Sequence, residues 1–156
     1  MIKVLFVCTG NICRSPTAHA IANHVSRKKS LQDKFYFDSA ATDAYHVGEL
    51  PDFRATQVGE KRNIDFSGIF SRKFKLEDFD RFDYIMCMDK SHQSKLVDIS
   101  KGESQKKVKL FLEFCEVPNL WNNEVKDPYY RYDGAFDEVF DLVEEGVENM
   151  VKILGD

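Results

Sequence analysis

The sequence predicts an α/β protein: one domain over residues 1–156, a doubly wound, four-stranded parallel sheet with helices on both faces. Three observations carry that expectation. Short apolar runs alternate with amphipathic segments, which is how parallel strands joined by helical crossovers read. The apolar run Ile2-Lys3-Val4-Leu5-Phe6-Val7 passes through a short loop into Ser15-Pro16, a junction of strand, loop and helix start. Toward the far end, apolar residues recur at three- and four-residue steps from Phe136 to Leu154. A length of 156 residues is enough to bury a proper core.

Each element has its own justification. Residues 2–7 are the first strand. Ser15 to Lys29 forms the first helix, with Ser15 as N-cap and Pro16 at the permitted first position. Arg27-Lys28-Lys29 suits its negative end, and Ala20, Ile21, His24 and Val25 face inward. Aromatic Phe35-Tyr36-Phe37 opens a second strand ending near Ser39, and Ala40 to Pro51 reads as a loop. Pro51-Asp52 starts a second helix reaching about Arg62, with Ala55 and Val58 inward, and a variable stretch runs from Asn63 to Glu77. Phe82 to Met88 is a third strand, Asp89 to about Val97 a short helix, Ser100 to Lys107 a loop, and Val108 to Phe111 a fourth strand. Pro118, Pro128 and adjacent asparagines mark a long loop from Glu116 to Arg131. In the last helix Phe136, Val139, Phe140, Val143, Val147, Met150, Val151 and Leu154 make a packing stripe opposite an acidic face.

Composition excludes several function classes. A formal charge of −4 provides no basic stripe for nucleic acid and mildly opposes an anionic membrane. No apolar run approaches the roughly 20 residues that span a bilayer. Met1-Ile2-Lys3 leads into only four apolar residues, too few for a signal peptide's apolar region, so the cytoplasm is expected. Cys8, Cys13, Cys87 and Cys115 are too few and scattered for a disulfide scaffold. His19, His24, His46 and His92 show no paired ligand spacing and read as solvated or packed, so neither metal nor cofactor is expected.

The chemistry gathers between Cys8 and Arg14, at the carboxyl end of the first strand, where open parallel sheets bind ligands. A helix N-terminus presents N–H groups that lack intrahelical partners and favours an anion. Those amides and Arg14 also favour a thiolate at Cys8, the nucleophilic form of cysteine. The planar fork of Arg14 matches two oxygens of a phosphate in a way that lysine cannot. Gly10 permits a left-handed turn and Asn11 tolerates one, while Thr9, Asn11 and Ser15 can bond within the loop. A bare Cys-x5-Arg spacing is a weak signal whose bland counterpart is a packed cysteine with an arginine on the next helix. The strand before it, the Gly-Asn inside it and the Ser-Pro after it make phosphate chemistry the stronger reading. No Gly-Lys-Ser/Thr follows, so it is not a Walker-type nucleotide loop.

Val7-Cys8-Thr9-Gly10-Asn11-Ile12-Cys13-Arg14-Ser15-Pro16 resembles the signature of the low-molecular-weight protein tyrosine phosphatases. Four more segments resemble that family in order: Asp38-Ser39-Ala40, Tyr45-His46-Val47-Gly48 with Pro51-Asp52-Phe53-Arg54, Met86-Cys87-Met88-Asp89, and Asp127-Pro128-Tyr129-Tyr130. The resemblance implies metal-independent hydrolysis of protein phosphotyrosine, or of small aryl phosphates, through a phosphocysteine, with inorganic phosphate as product. It implies Cys8 as nucleophile, Asp127 as proton donor to the leaving phenolate and then as base for water, and Arg14 with residues 9–15 around the phosphate. Tyr45, Tyr129 and Tyr130 would wall the cleft, although each alone also reads as an ordinary loop tyrosine. The resemblance further implies that Cys13 could pair with Cys8 on oxidation; a packed thiol is the equal alternative. A monomer or weak dimer is expected.

Two positions depart from the family pattern. Ile69 stands where a histidine often supports the phosphate loop, so the shell around Asn11, Ser15 and Ser39 is expected to be thinner. Arg131 stands where glycine is common, either adding charge at the rim or facing solvent. The rivals are an arsenate reductase of the same fold, a protein arginine phosphatase (whose loop typically carries threonine where Ile12 stands) and a phosphotyrosine-binding module without turnover.

Overall fold

The computed structural model describes residues 1–118, 122–129 and 134–155. Four parallel strands make one sheet in the order β2-β1-β3-β4: β1 Ile2–Cys8, β2 Phe35–Ala41, β3 Tyr84–Cys87 and β4 Val108–Leu110. Between and after them lie α1 Arg14–Lys28, α2 Phe53–Lys61, the short α3 Asp78–Arg81, α4 Lys90–Ile99, a 3₁₀ turn Gly102–Lys107, the short α5 Phe111–Phe114 and α6 Ala135–Gly155.

β1 shows why the sheet is covered on both sides. Val4, Phe6 and Cys8 point into one apolar cluster, while the alternate residues Leu5 and Val7 point into another. The first cluster lies under α1, α2 and α6, where Phe6 packs between Phe37 and Phe111. The second lies on the α3 and α4 side and takes Phe79, Phe82 and Leu96. Gly146 lets α6 approach: a Cβ there would fall 2.6 Å from the Phe111 ring. The apolar stripe of α6 is buried as its periodicity predicts, from Phe136 to Val151.

Several boundaries differ from expectation, each for a local reason. Ser15 is not the N-cap of α1. The cap lies two residues earlier, at Cys13, so Pro16 is the third residue of the helix and the Ser15 side chain turns to other partners. β2 runs on to Ala41, because Ala41 also bridges Lys73. β3 is shorter than its apolar run: Phe82 is buried but lies ahead of the strand. Phe111 opens α5 instead of closing β4, and the expected loop at Ser100–Lys107 contains the 3₁₀ turn. The pattern left α3 unassigned. α2 begins as predicted, with the Asp52 carboxylate accepting from the Arg54 N–H at 2.8 Å.

β1 sits where the strand order reverses, with β2 on one side and β3 on the other. The carboxyl end of such a strand is the place where ligands bind open sheets. Cys8 occupies it.

Candidate active site

The loop from β1 to α1 is clamped from behind. Its one left-handed residue is Asn11, at φ 56°, and not Gly10. Gly10 is needed for a different reason, since a Cβ there would fall 2.8 Å from His46 Cδ2. Asn11 is buried, and its Oδ1 accepts from the Arg72 N–H at 3.1 Å. That fixes the amide so that Nδ2 donates to Ser15 Oγ at 2.8 Å. Ser15 Oγ lies 3.0 Å from Cys8 Sγ. Asn11 uses one of that hydroxyl's two lone pairs, and its proton is the donor toward the sulfur when Cys8 is a thiolate. The Ser15 N–H, at 3.4 Å, adds a second donor. Ser71 Oγ donates to the Gly10 carbonyl at 2.8 Å, and the Asp52 N–H donates to the Ile12 carbonyl at 2.7 Å. Those carbonyls are thus engaged by residues outside the loop.

Arg14 is almost fully buried, and its Nη1 donates to Asp89 Oδ2 at 2.8 Å and to the Val125 carbonyl at 3.0 Å. Its Nη2 lies 3.7 Å from Asp127 Oδ2. Burial opposes the charge of Arg14, but Cys8, Asp127 and Asp89 outweigh it and raise its pKa. Burial likewise pushes Asp89 up, yet His92 (charged at the pH where this carboxyl titrates), Ser91 and Arg14 pull harder and bring it to about 2.

His92 completes the clamp at the other end of the loop. Its Nδ1 accepts from the Asp89 N–H at 3.2 Å, so Nε2 carries the proton and donates to Thr9 Oγ1 at 2.8 Å. Burial, helped by Arg14, lowers its pKa to about 4. Asp89 and His92 form a reciprocal cap on α4, so one helix start anchors both Thr9 and Arg14.

A cavity of about 250 Å³ opens on this loop, lined by Cys8, Thr9, Gly10, Ile12, Cys13 and Arg14, with Tyr45, His46, Asp127 and Tyr129 around it. Thus three tiers meet: a sulfur on the floor, a guanidinium beside it and a carboxylate at the rim. The Asp127 side chain is 50% exposed, and its Oδ1 accepts from the Tyr129 N–H at 3.1 Å. Arg54 ties the Tyr129 turn to α2: it donates to the Tyr129 carbonyl at 3.0 Å, lies 5.1 Å over that ring and forks onto Asp52. Tyr130 and Arg131 lie outside the described residues. Cys8 and Cys13 are both free thiols. Burial, then Asp52, Cys8 and Asp127, push the Cys13 pKa up against the pull of Arg14.

Behind the loop, the position expected to leave a thinner shell is filled by an apolar side chain. Ile69 is packed in the core, Arg72 and Ser71 hold the loop, and His19 Nδ1 meets Ser39 Oγ at 3.0 Å from α1. Sequence reasoning missed Asp89, His92, Arg72 and the rim position of His46. Asp89 and His46 do fall in segments that resemble the family, and Asp89-x-x-His92 has the spacing of a reciprocal helix cap.

These features define an α/β protein with a preformed cradle for a tetrahedral oxyanion and a thiol at its base. A family model described as low molecular weight phosphotyrosine protein phosphatase matches residues 3–156. The low molecular weight protein-tyrosine-phosphatase YfkJ of Bacillus subtilis is 37% identical over 151 residues, covering 97% of this chain and 94% of that protein. The crystal structure of a protein tyrosine phosphatase from Entamoeba histolytica, with Hepes in its active site, aligns with a TM-score of 0.93 at 37% identity, covering 99% of this chain and 97% of that one. The structure of a Drosophila arginine phosphatase aligns with a TM-score of 0.89 at 31% identity, covering 99% of each chain. The chain belongs to the low molecular weight phosphotyrosine protein phosphatase family.

Proposed function

We propose that this protein hydrolyses phosphotyrosine in proteins, and small aryl phosphates, through a phosphocysteine on Cys8. The observation that carries the reading is the convergence of Cys8, Arg14 and Asp127 on one cavity, with the Ser15 hydroxyl aimed at the sulfur. In the first step Cys8 Sγ forms a bond to phosphorus, the ester O–P bond breaks, and Asp127 gives its proton to the leaving phenolate. In the second, the Asp127 carboxylate takes a proton from water as its oxygen attacks phosphorus and the S–P bond breaks. Inorganic phosphate leaves. Arg14 and the loop N–H groups hold the equatorial oxygens through both steps, where charge is greatest in the transition state. Asp89 and the Val125 carbonyl occupy one face of Arg14, which leaves its Nη2 side toward Asp127 and the cavity.

The flat walls supplied by Tyr129, His46 and Tyr45 suit an aromatic ring, and apolar Ile12 at the cavity favours an aryl ester over a phosphorylated guanidinium. Cys87 and Cys115 are fully buried, with burial raising both thiols, so neither is presented as a relay for arsenate reduction. On this reading the protein works in the cytoplasm, since its four scattered cysteines do not make the disulfide framework of a secreted domain. Among the described residues no helix is long and apolar enough to cross a membrane. Residues 1–156 act as one phosphatase domain, working as a monomer or weak dimer, on a phosphotyrosine protein and with no metal or cofactor.

Phosphate release from phosphotyrosyl, phosphoseryl and phosphoarginyl peptides, measured with a chelator present, tests this reading. Phosphotyrosine is expected to be turned over fastest. A preference for phosphoarginine, or reduction of arsenate without phosphotyrosine turnover, would overturn it.

A further inference from the structure

A single segment of chain separates the cavity from a second, larger concavity. Ile12 lines the cavity and its carbonyl accepts from the Asp52 N–H at 2.7 Å, while Pro51 and Phe53, on either side of Asp52, line a groove of about 650 Å³. Loop 45–53 therefore faces both: Tyr45 and His46 toward the cavity, Leu50, Pro51 and Phe53 toward the groove. Its side chains are apolar where solvent is expected. Tyr45, Val47, Leu50 and Phe53 are 54% to 75% exposed. Phe70 is 56% exposed on the strip that the loop pairs with, through the Gly48 N–H to the Ser71 carbonyl and the Ser71 N–H to the Glu49 carbonyl. The other large apolar side chains exposed among the described residues, such as Met1, Leu76 and Ile153, come from separate stretches of the chain. Scattered exposure is ordinary, but a contiguous patch marks an interaction surface. The groove's charge also has one sign, since Glu60 and Asp65 line it and no Lys or Arg does.

We propose that this groove docks the stretch of phosphoprotein that flanks the phosphotyrosine, taking one large apolar side chain and, beside Glu60 and Asp65, one Lys or Arg. The proposal rests on the phosphatase reading, because continuity with the cavity names the occupant. In this proposal a phosphotyrosine ring seated over Cys8 sends its backbone out across loop 45–53, the wall that the cavity shares with the groove. That wall is one chain segment thick, on the order of 10 Å with its side chains, so about three extended residues at ~3.3 Å each cross it. The anchoring side chains lie three to four positions from the phosphotyrosine. Docking there adds binding energy remote from the reacting phosphorus, where it separates one phosphoprotein from another without altering the chemistry.

The test compares kcat/KM for p-nitrophenyl phosphate with that for two phosphotyrosyl peptides. One peptide carries Leu and Lys three and four positions to either side of the phosphotyrosine, and the other carries Ser and Glu there. The Leu-Lys peptide is expected to be favoured by about tenfold, the scale of one well-filled apolar contact. Phe53→Ser removes most of that preference, and Glu60→Lys turns its charge part toward the Ser-Glu peptide. Neither change moves p-nitrophenyl phosphate turnover, which also shows that the variants fold. Equal rates for the two peptides, with p-nitrophenyl phosphate turned over normally, overturn the docking groove and leave the phosphatase reading standing. Failure on all three substrates overturns the phosphatase reading, and fluorescence anisotropy of the same peptides then decides the groove, equal affinities overturning it. A dimer in sedimentation that Phe53→Ser dissolves assigns the groove to a second copy of the chain and overturns the proposal.

Discussion

Cys8 and Cys13 sit at opposite ends of one loop and meet opposite surroundings. Cys13 is the nearer to the helix, in the cap position of α1, yet burial and the carboxylates of Asp52 and Asp127 keep it a thiol. Cys8 lies at the strand end, and there the hydroxyl and the N–H of Ser15 both reach its sulfur. On the proposed reading of Cys8 as nucleophile, nearness to a helix N-terminus is therefore not what singles it out. What distinguishes Cys8 is the Ser15 hydroxyl and N–H beside its sulfur, held in place by Asn11 and the Arg72 N–H behind them.

The largest test of this contrast exchanges each sulfur for oxygen. Cys8→Ser is expected to lower aryl phosphate turnover by at least ~10³-fold, while Cys13→Ser stays within about tenfold of the parent. Comparable losses would erase the distinction. Next, Asp127→Asn should cost about 10²- to 10³-fold when the leaving phenol is basic and far less when it is acidic, read as a steepened dependence of kcat on phenol pKa. A smaller effect tests the donors themselves. Ser15→Ala is expected to cost about 10- to 100-fold in kcat/KM by removing one charge-directed hydrogen bond. It should also slow alkylation of Cys8 by iodoacetate, followed by mass spectrometry, while Cys13 stays unmodified in both proteins.

The smallest effect concerns the scaffold on the Cys8 side. Burial first, then Arg14 for His92 and Arg72 for His19, lowers both imidazoles to about 4, with Asp89 and Asp38 opposing. In the unfolded chain each protonates near ~6.5, so between those values the unfolded state binds more protons. Stability is therefore full above about pH 6.5 and is lost as pH falls toward 4, by on the order of 2 kcal/mol per imidazole between pH 7 and pH 5. Asp89 acts in the same direction lower down, from its usual value near ~3.8 toward about 2. Urea unfolding at pH 7, 6 and 5 measures the slope, and His92→Asn should flatten it. An unchanged slope would place the sensitivity elsewhere.

The fold was largely legible because its signals are local. The period of α6, the apolar β1 and the Asp52 cap each depend on neighbours in sequence, and all three appear where they were read. Within the site, Cys8, Arg14 and Asp127 could be found because each has a reactive group at a distinctive spacing or in a recognisable segment. The supports could not. Arg72 acts on Asn11 through its backbone N–H, which every residue except proline possesses, and His92 reaches Thr9 from 83 positions away. Ser15 illustrates the same limit. A serine ahead of a helix reads as a cap, but here a partner from the preceding strand captures its hydroxyl. Gly10 was read for its backbone freedom and serves instead as room for His46.

The clamped loop also links the folding equilibrium to the solution around the protein. Arg14 is anchored by Asp89 and Val125, and Asn11 is locked in its left-handed turn, so the folded chain presents a finished anion site and the unfolded chain presents none. Any tetrahedral oxyanion that binds there raises the unfolding free energy by RT ln(1 + [L]/Kd), about 2.7 kcal/mol at a hundredfold excess over Kd. Inorganic phosphate, the product, then acts as a thermal protectant of its own enzyme, and the rise of Tm with the logarithm of phosphate concentration reports the grip of the cradle with no turnover at all.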